Sequence, residues 1–292
     1  MVIYNPKDWW KLIFSFHKSD TFRMTWKGIA GVGIFTALVA WLENDVFHAT
    51  FRNTTAIHSL VGFVLSLLLI LRTNTAYDRW WEGRKLWGGM LTSARNFANK
   101  VQGLISDQDV KLRIKILLQN FFLASKEHLR SGVKLDLLQY ESKEDRATYE
   151  GSLHIPNRIV QKIYNELFLL RKKDQLTDVQ VHMLEQDLAT LTNHIGGCER
   201  IKKTPMPYSY NIYLKKIIFL YIFTMPIGFV REFGFWAVPI VSLIFYVFTS
   251  IEILAEEIED PFGLEANDLP TDDITKTMIS NLDEIFSVDM NS

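Results

Sequence analysis

A long uncharged segment that continues without a turn signal into charged, tryptophan-rich sequence constrains this chain most. Residues 60–89 are LVGFVLSLLLILRTNTAYDRWWEGRKLWGG, residues 53–71 carry no Asp, Glu, Lys or Arg, and charge begins at Arg72. Such a change is typical of a helix leaving a membrane, and Trp80 and Trp81 lie where amphipathic rings prefer the bilayer surface. The segment therefore predicts a membrane-spanning helix that continues into water.

Three further apolar segments accompany this one. The four segments cover residues 28–42, 56–71, 217–230 and 233–251. A helix needs about 20 apolar residues to cross hydrocarbon, so the first and third need buried polar ends or aromatic flanks. Gly28, Ala30, Gly31 and Gly33 allow close approach of a neighbouring helix. The pattern predicts an all-α integral membrane protein with four transmembrane helices and a helical cytoplasmic domain.

Composition excludes several other classes of protein. The formal net charge of -1 gives no support for nucleic-acid binding. Cys198 is the single cysteine, which excludes an intramolecular disulfide framework. Residues 1–27 lack the long apolar core of a secretory signal, so the first apolar segment is expected to stay in the protein.

The distribution of Lys and Arg predicts the orientation in the membrane. Residues 1–27 hold five Lys or Arg residues, whereas residues 43–55 hold only Arg52. Basic segments stay in the cytoplasm, so both termini are predicted to be cytoplasmic, in the cell (inner) membrane. The predicted organisation is a cytoplasmic N-terminal segment, two transmembrane helices, a helical cytoplasmic domain, two more transmembrane helices and a cytoplasmic C-terminal segment, covering residues 1–27, 28–71, 72–214, 215–255 and 256–292.

The charged middle of the chain is predicted to be mostly helical. Helices are expected in 104–130, 155–172 and 177–194, the last from its apolar spacing of three and four. Residues 131–153 are predicted to be irregular. Gly196 and Gly197 permit a helix end, and the tail 264–292 is predicted to be extended with a short final helix.

Few residues suggest catalysis. His154, His182 and His194 form no H-x-x-x-H or H-E-x-x-H pattern, so a catalytic metal site is not expected. Cys198, one turn after His194, fits a buried structural thiol better than a Cys–His nucleophile. The carboxylates of residues 252–260 could take a divalent cation, although a solvated or Arg-paired helix end is favoured.

Two features of the second apolar helix have alternative interpretations. Phe63, Leu67 and Leu71 are four residues apart and share one face. Stacked as rings around an axis they would form an apolar constriction that gates by dewetting, but spacing alone favours ordinary helix packing. The mixed charges of residues 78–85 are either solvated at the membrane exit or part of a buried network at a pore exit.

Three motifs in order along nearly the whole chain resemble the bestrophin family of ion channels. They are RWWEGRKLWG at 79–88, CERIKKTPMPYSY at 198–210 and IEDPFG at 258–263. The chain is similar to the short prokaryotic form of that family. The resemblance implies a homopentamer around one axial pore, with four membrane helices per subunit.

The resemblance also implies roles for individual residues. The neck of the pore corresponds to Phe63, Leu67 and Leu71, and the lower cytoplasmic aperture to Val179. The structural motif at the neck exit consists of Arg79, Trp80, Trp81 and Glu82.

Animal members of the family carry a calcium clasp in a dense acidic run after the PFG motif. In this chain Leu264 replaces the first expected acid, and the remaining acidic candidates for a metal are Glu265, Asp268, Asp272 and Asp273. No cofactor is therefore predicted, and no metal site is assigned to these four acidic residues.

The predicted function is a channel passing monovalent ions through an apolar neck. Glu43, Asn44 and Asp45 in the outer link favour a cation (sodium or potassium) as the permeant ion; the alternative is an anion (chloride) channel of the same architecture. A membrane-anchored scaffold or an enzyme without a pore is the alternative of another class. Paired haem-ligating histidines are not present in the spans, where His58 stands alone. The expected partners are further copies of the chain, membrane lipid and the permeant ions.

Overall fold

A computed structural model describes residues 20–43, 55–140 and 142–287 of the chain. These residues form nine α-helices and no β-strand. The helices are α1 (Asp20–Trp41), α2 (Thr55–Leu104), α3 (Gln108–His128), α4 (Lys143–Glu150), α5 (Ile155–Lys172), α6 (Asp178–Lys203), α7 (Tyr208–Phe233), α8 (Ala237–Glu259) and α9 (Thr271–Ser287). The all-α prediction is confirmed for the described residues.

The described residues form two compact units. Residues 20–79 and 205–259 make up the first, here called the membrane unit, and residues 80–204 and 260–287 the second, called the polar unit. Helix α2 contributes its first half to the membrane unit and its second half to the polar unit.

Helices of the membrane unit are long and apolar enough to cross a bilayer. The candidate spans are Thr21–Trp41, Thr55–Leu104 and Tyr208–Glu259, and the last of these comprises α7 and α8. Between α7 and α8 the chain turns at Gly234, whose φ of 55° lies in the left-handed region that glycine adopts readily. Large apolar side chains on α1, α7 and α8 remain exposed, among them Ile34, Phe219 and Leu243. Such surfaces require lipid or another protein chain around them.

Small residues bring α1 close to α8, as the sequence predicts. A Cβ atom added to Gly28 would lie 2.7 Å from Cζ of Phe245, and one added to Gly33 would lie 3.3 Å from Oγ of Ser242. The absence of a side chain at these two positions therefore permits the close contact between the helices.

The polar unit has a core of its own. Large buried side chains of α2 and α3 lie at its centre, including Trp87, Phe97, Phe121 and Phe122. Helix α5 begins and ends as predicted, with His154 as its N-cap. Helix α6 begins with a capping box between Thr177 and Gln180.

Several predicted boundaries are wrong for identifiable reasons. Helix α6 runs through Gly196 and Gly197 to Lys203 instead of ending at the glycines. A Cβ atom on Gly197 would lie 2.9 Å from both methyl carbons of Leu86, so this glycine serves close packing on α2. The 131–153 segment predicted to be irregular contains α4, which Ser142 caps. The final helix, α9, has 17 residues and is longer than predicted.

Candidate pore helix and the motifs at its exit

The residues predicted to form the neck lie on a face of α2 that the other described residues leave uncovered. Phe63, Leu67 and Leu71 are 62%, 45% and 59% exposed in the single chain. Leu65 and Leu69, on the other face, are buried in a cluster with residues of α7 and α8. Residues four apart advance by only about 40° around a helix. The three side chains therefore form a continuous apolar stripe that can line a pore or contact another copy.

Farther along α2 the same face becomes polar. Asn74, Asp78, Trp81 and Lys85 follow Leu71 at intervals of three or four residues, and all four are exposed. One uncovered face thus changes from apolar to charged at the point where the sequence predicts the helix to leave the membrane.

A buried ion pair fixes the end of the apolar part of α2 within the membrane unit. Arg72 is 1% exposed, and its Nη2 donates to Oε2 of Glu259 at 2.6 Å. The other carboxylate oxygen of Glu259 accepts from the backbone N–H of Met206 at 2.6 Å. The sequence left the carboxylates of residues 252–260 as divalent-cation ligands, solvated groups or partners of Arg. For Glu259, pairing with Arg is correct. The position of Arg72 as the first charge after the apolar run is the signal that could have identified the pair.

Arg79 and Trp80 donate to backbone carbonyls within and after the IEDPFG motif. Nε of Arg79 donates to the carbonyl oxygen of Glu259 at 3.2 Å, within the membrane unit. Nε1 of Trp80 donates to the carbonyl oxygen of Asn267 at 3.0 Å, within the polar unit. Arg79 thus binds a residue within the motif, and Trp80 binds the chain just after the motif ends.

Glu82 forms an ion pair, whereas Trp81 is exposed. Glu82 accepts from Nη2 of Arg200 on α6 at 2.8 Å, and Trp81 remains about half exposed on the uncovered face of α2. The charge of Glu82 is therefore paired across two helices of the polar unit.

The PFG sequence packs directly against α2 in the polar unit. Phe262 and Leu269 are buried. A Cβ atom on Gly83 would lie 3.1 Å from Cζ of Phe262 and 3.3 Å from Cδ1 of Leu269. The glycine of RWWEG thus provides the space that the phenylalanine of PFG fills.

Val179, the residue corresponding to the lower aperture, lies in the first turn of α6 and is 69% exposed. The preceding residue, Asp178, is held by Nε and Nη2 of Arg171. An exposed valine thus follows a helix start that an ion pair holds in place.

The four acidic candidates for a metal have different surroundings. Asp268 is buried, and its Oδ2 accepts from the backbone N–H of Glu265 at 2.6 Å; burial raises the pKa of Asp268 to about 6. Asp272 is paired with Arg130 at 2.6 Å and Lys126 at 2.7 Å, and these contacts hold its pKa well below the usual range. Asp273 is exposed in the first turn of α9. The positive partners of Asp272 compete with any cation.

Cys198 is a buried thiol, as predicted. It has no exposed surface, and burial, together with the charges of Glu199 and Glu82, raises its pKa to about 12. A thiol of that pKa is a poor nucleophile at neutral pH.

Sequence and structure comparisons agree on one family. A family model described as "Bacterial/Fungal Bestrophin protein" matches residues 1–284. The voltage-dependent anion channel-forming protein alr2987 of Nostoc sp. is 36% identical over 79% of this chain and 77% of its own length. The voltage-dependent anion channel-forming protein YneE of Escherichia coli K12 is 30% identical over 100% of this chain and 94% of its own.

Solved structures give the same result. The crystal structure of a bacterial bestrophin homologue from Klebsiella pneumoniae superposes with a TM-score of 0.84 at 28% sequence identity. The match covers 89% of this chain and 97% of that one.

Proposed function

The chain belongs to the bacterial and fungal bestrophin family of ion channels, and we propose that several copies of it form an anion-permeable pore lined by α2. The apolar stripe of Phe63, Leu67 and Leu71 carries this proposal. The stripe lies on the side of α2 that no other helix of the described part of the chain covers.

Repetition of the stripe around an axis would produce three stacked apolar rings. Such a neck offers ions no fixed ligands, so ions pass while partly hydrated and the neck closes by losing its water. The polar residues that follow on the same face, beginning at Asn74, would then meet water beyond the neck.

The names of the relatives support an anion as the permeant ion. The Nostoc and E. coli proteins are both named as voltage-dependent anion channel-forming proteins. The comparisons do not support the cation preference predicted from Glu43, Asn44 and Asp45, of which the last two lie outside the described residues. The proposed permeant ions are therefore anions, with chloride as the physiological one.

The assembly and orientation proposed here follow the sequence. Five copies would surround the pore, each with four spans formed by α1, the first half of α2, α7 and α8. The basic residues of 1–27 and of the segment after Leu71 favour cytoplasmic termini in the inner membrane. Val179, exposed at the start of α6, would form the lower aperture.

Recordings from purified protein in planar bilayers test the proposal. In a potassium chloride gradient, a reversal potential near the chloride equilibrium potential is expected. A reversal potential near the potassium equilibrium potential would overturn the anion assignment. The absence of any current would overturn the assignment as a channel. The mass of the protein in detergent tests the pentamer.

Leu67→Ala tests the neck. Removing an apolar ring should raise the single-channel conductance because it widens the constriction and makes it easier to wet. Leu220→Ala on α7 is the matched control, since Leu220 is also an exposed leucine of the membrane unit. Equal conductance of the Leu67 variant and wild type would contradict the assignment of the neck.

A further inference from the structure

Two histidines and a glutamate that are far apart in the sequence meet in the polar unit. His128 is the last residue of α3, His154 caps α5, and Glu199 lies on α6. Nε2 of His128 lies 2.9 Å from Oε1 of Glu199, and Nε2 of His154 lies 2.5 Å from the same oxygen. One ligand atom from each residue lies within 4.8 Å of the others.

We propose that His128, His154 and Glu199 form a binding site for a divalent transition-metal ion, with Zn²⁺ as the best fit. The site includes no residue of α2 and none of the acidic residues after PFG, and the proposal does not depend on the ion that the channel passes.

The donor atoms select the class of metal. Two imidazole nitrogens and one carboxylate oxygen suit Zn²⁺ and its first-row neighbours. Ca²⁺ and Mg²⁺ prefer sites made of oxygen ligands, so neither is expected to bind here. Three protein ligands leave at least one position for water.

The two imidazole rings lie close together and are partly open to solvent. The ring centroids of His128 and His154 are 4.6 Å apart. The side chain of His154 is 36% exposed and borders an open cleft of about 420 Å³, which gives an ion a path from solvent.

Metal binding requires a small local opening. With metal–ligand bonds of about 2.0–2.2 Å in tetrahedral geometry, ligand atoms lie about 3.3 Å apart. The two nitrogens must therefore move away from Glu199 by about 0.4 and 0.8 Å relative to the distances of 2.9 and 2.5 Å. Side-chain rotation at partly exposed residues can supply such movements.

The tautomer of His154 must change as well. The backbone N–H of Asn157 donates to Nδ1 of His154 at 3.1 Å, so neutral His154 carries its proton on Nε2. Binding a metal through Nε2 moves that proton to Nδ1 and gives up this one capping hydrogen bond. The metal then joins the end of α3, the start of α5 and the second half of α6 in place of the two hydrogen bonds to Glu199.

Metal titration of the purified full-length protein in detergent tests the proposal. Isothermal titration with Zn²⁺ should give one site per chain, and Zn²⁺ should raise the melting temperature with the logarithm of its excess over Kd. Co²⁺ should give visible d–d absorption of a site with nitrogen and oxygen ligands. Ca²⁺ and Mg²⁺ should give neither signal.

Conservative variants identify the ligands. His128→Gln and His154→Asn retain hydrogen-bonding groups, and Asn remains a good helix N-cap, so both variants are expected to fold. Each should weaken Zn²⁺ binding by about tenfold or more. Glu199→Gln provides a third variant. His182→Ala is the control, because His182 lies on α6 outside this cluster and is mostly exposed.

Two results would overturn the site. One is wild-type protein that binds no Zn²⁺ at stoichiometric concentrations, which would leave the three residues as a hydrogen-bonded cluster only. The other is a double variant, His128→Gln with His154→Asn, that binds Zn²⁺ as tightly as wild type.

Discussion

Arg72 and Glu259 form an ion pair at 2.6 Å in which both side chains are buried. The pair joins α2 to the end of α8, and Glu259 also accepts from the backbone of Met206. Nε of Arg72 has no hydrogen-bond partner among the described residues, so the carboxylate of Glu259 is the main compensation for the buried guanidinium.

Replacing Glu259 should destabilise the protein strongly. Glu259→Ala leaves the charge of Arg72 buried and uncompensated, which costs about 3–5 kcal/mol. Glu256→Gln is the control, since Glu256 pairs with Lys215 at an exposed site and should change stability by about 0–1 kcal/mol. Thermal melting in detergent measures both, and similar melting temperatures for the two variants would show that the buried pair contributes little.

Gly83 should not tolerate a larger side chain. Gly83→Val places methyl groups against Phe262 and Leu269 and should cost about 1–3 kcal/mol through overpacking. Gly103 lies on the same helix, and a Cβ atom there would meet nothing within 4 Å. Gly103→Val should therefore stay within about 0.5 kcal/mol of wild type. Melting temperatures compare the two, and equal losses would exclude packing against PFG as the cause.

Cys198 should resist alkylation in the folded protein. Its pKa of about 12 leaves roughly a thousandth of the thiolate that an ordinary cysteine has at pH 8. Iodoacetamide labelling followed by mass spectrometry should show modification only after denaturation. Moving the cysteine to exposed Ser106 (Cys198→Ser with Ser106→Cys) is the control and should restore rapid labelling; rapid labelling of native wild type would contradict the buried state.

Asp272 should contribute stability that depends on pH. Its pKa in the folded protein lies below the ordinary 3.8 because Arg130 and Lys126 bind the carboxylate. Its contribution is therefore complete above the unfolded pKa and is lost as the pH falls through the folded pKa. Asp272→Asn should lower the melting temperature at pH 7, and the difference from wild type should shrink towards pH 3. A difference that grows on acidification would reverse the sign of this interaction.

Sequence patterns predicted the helices well wherever one strong local signal was present. The helix predicted over 155–172 matches α5, and Thr177 marked the start of α6, whose apolar residues are spaced by three and four. The helix end predicted at Gly196 and Gly197 is wrong because a glycine can either end a helix or allow another element to approach. At Gly197, only the contact with Leu86 distinguishes the two roles.

The sequence by itself determined the all-α class, the apolar segments and the order of the motifs, because hydrophobic periodicity and charge are properties of neighbouring residues. It also located the stripe of Phe63, Leu67 and Leu71, which share a helix face by spacing alone. Only the tertiary structure decided which face of α2 is left uncovered, that Arg72 pairs with Glu259, and that His128, His154 and Glu199 meet. These relationships join residues separated by many positions, and their distances are set by helix packing, which no local pattern encodes.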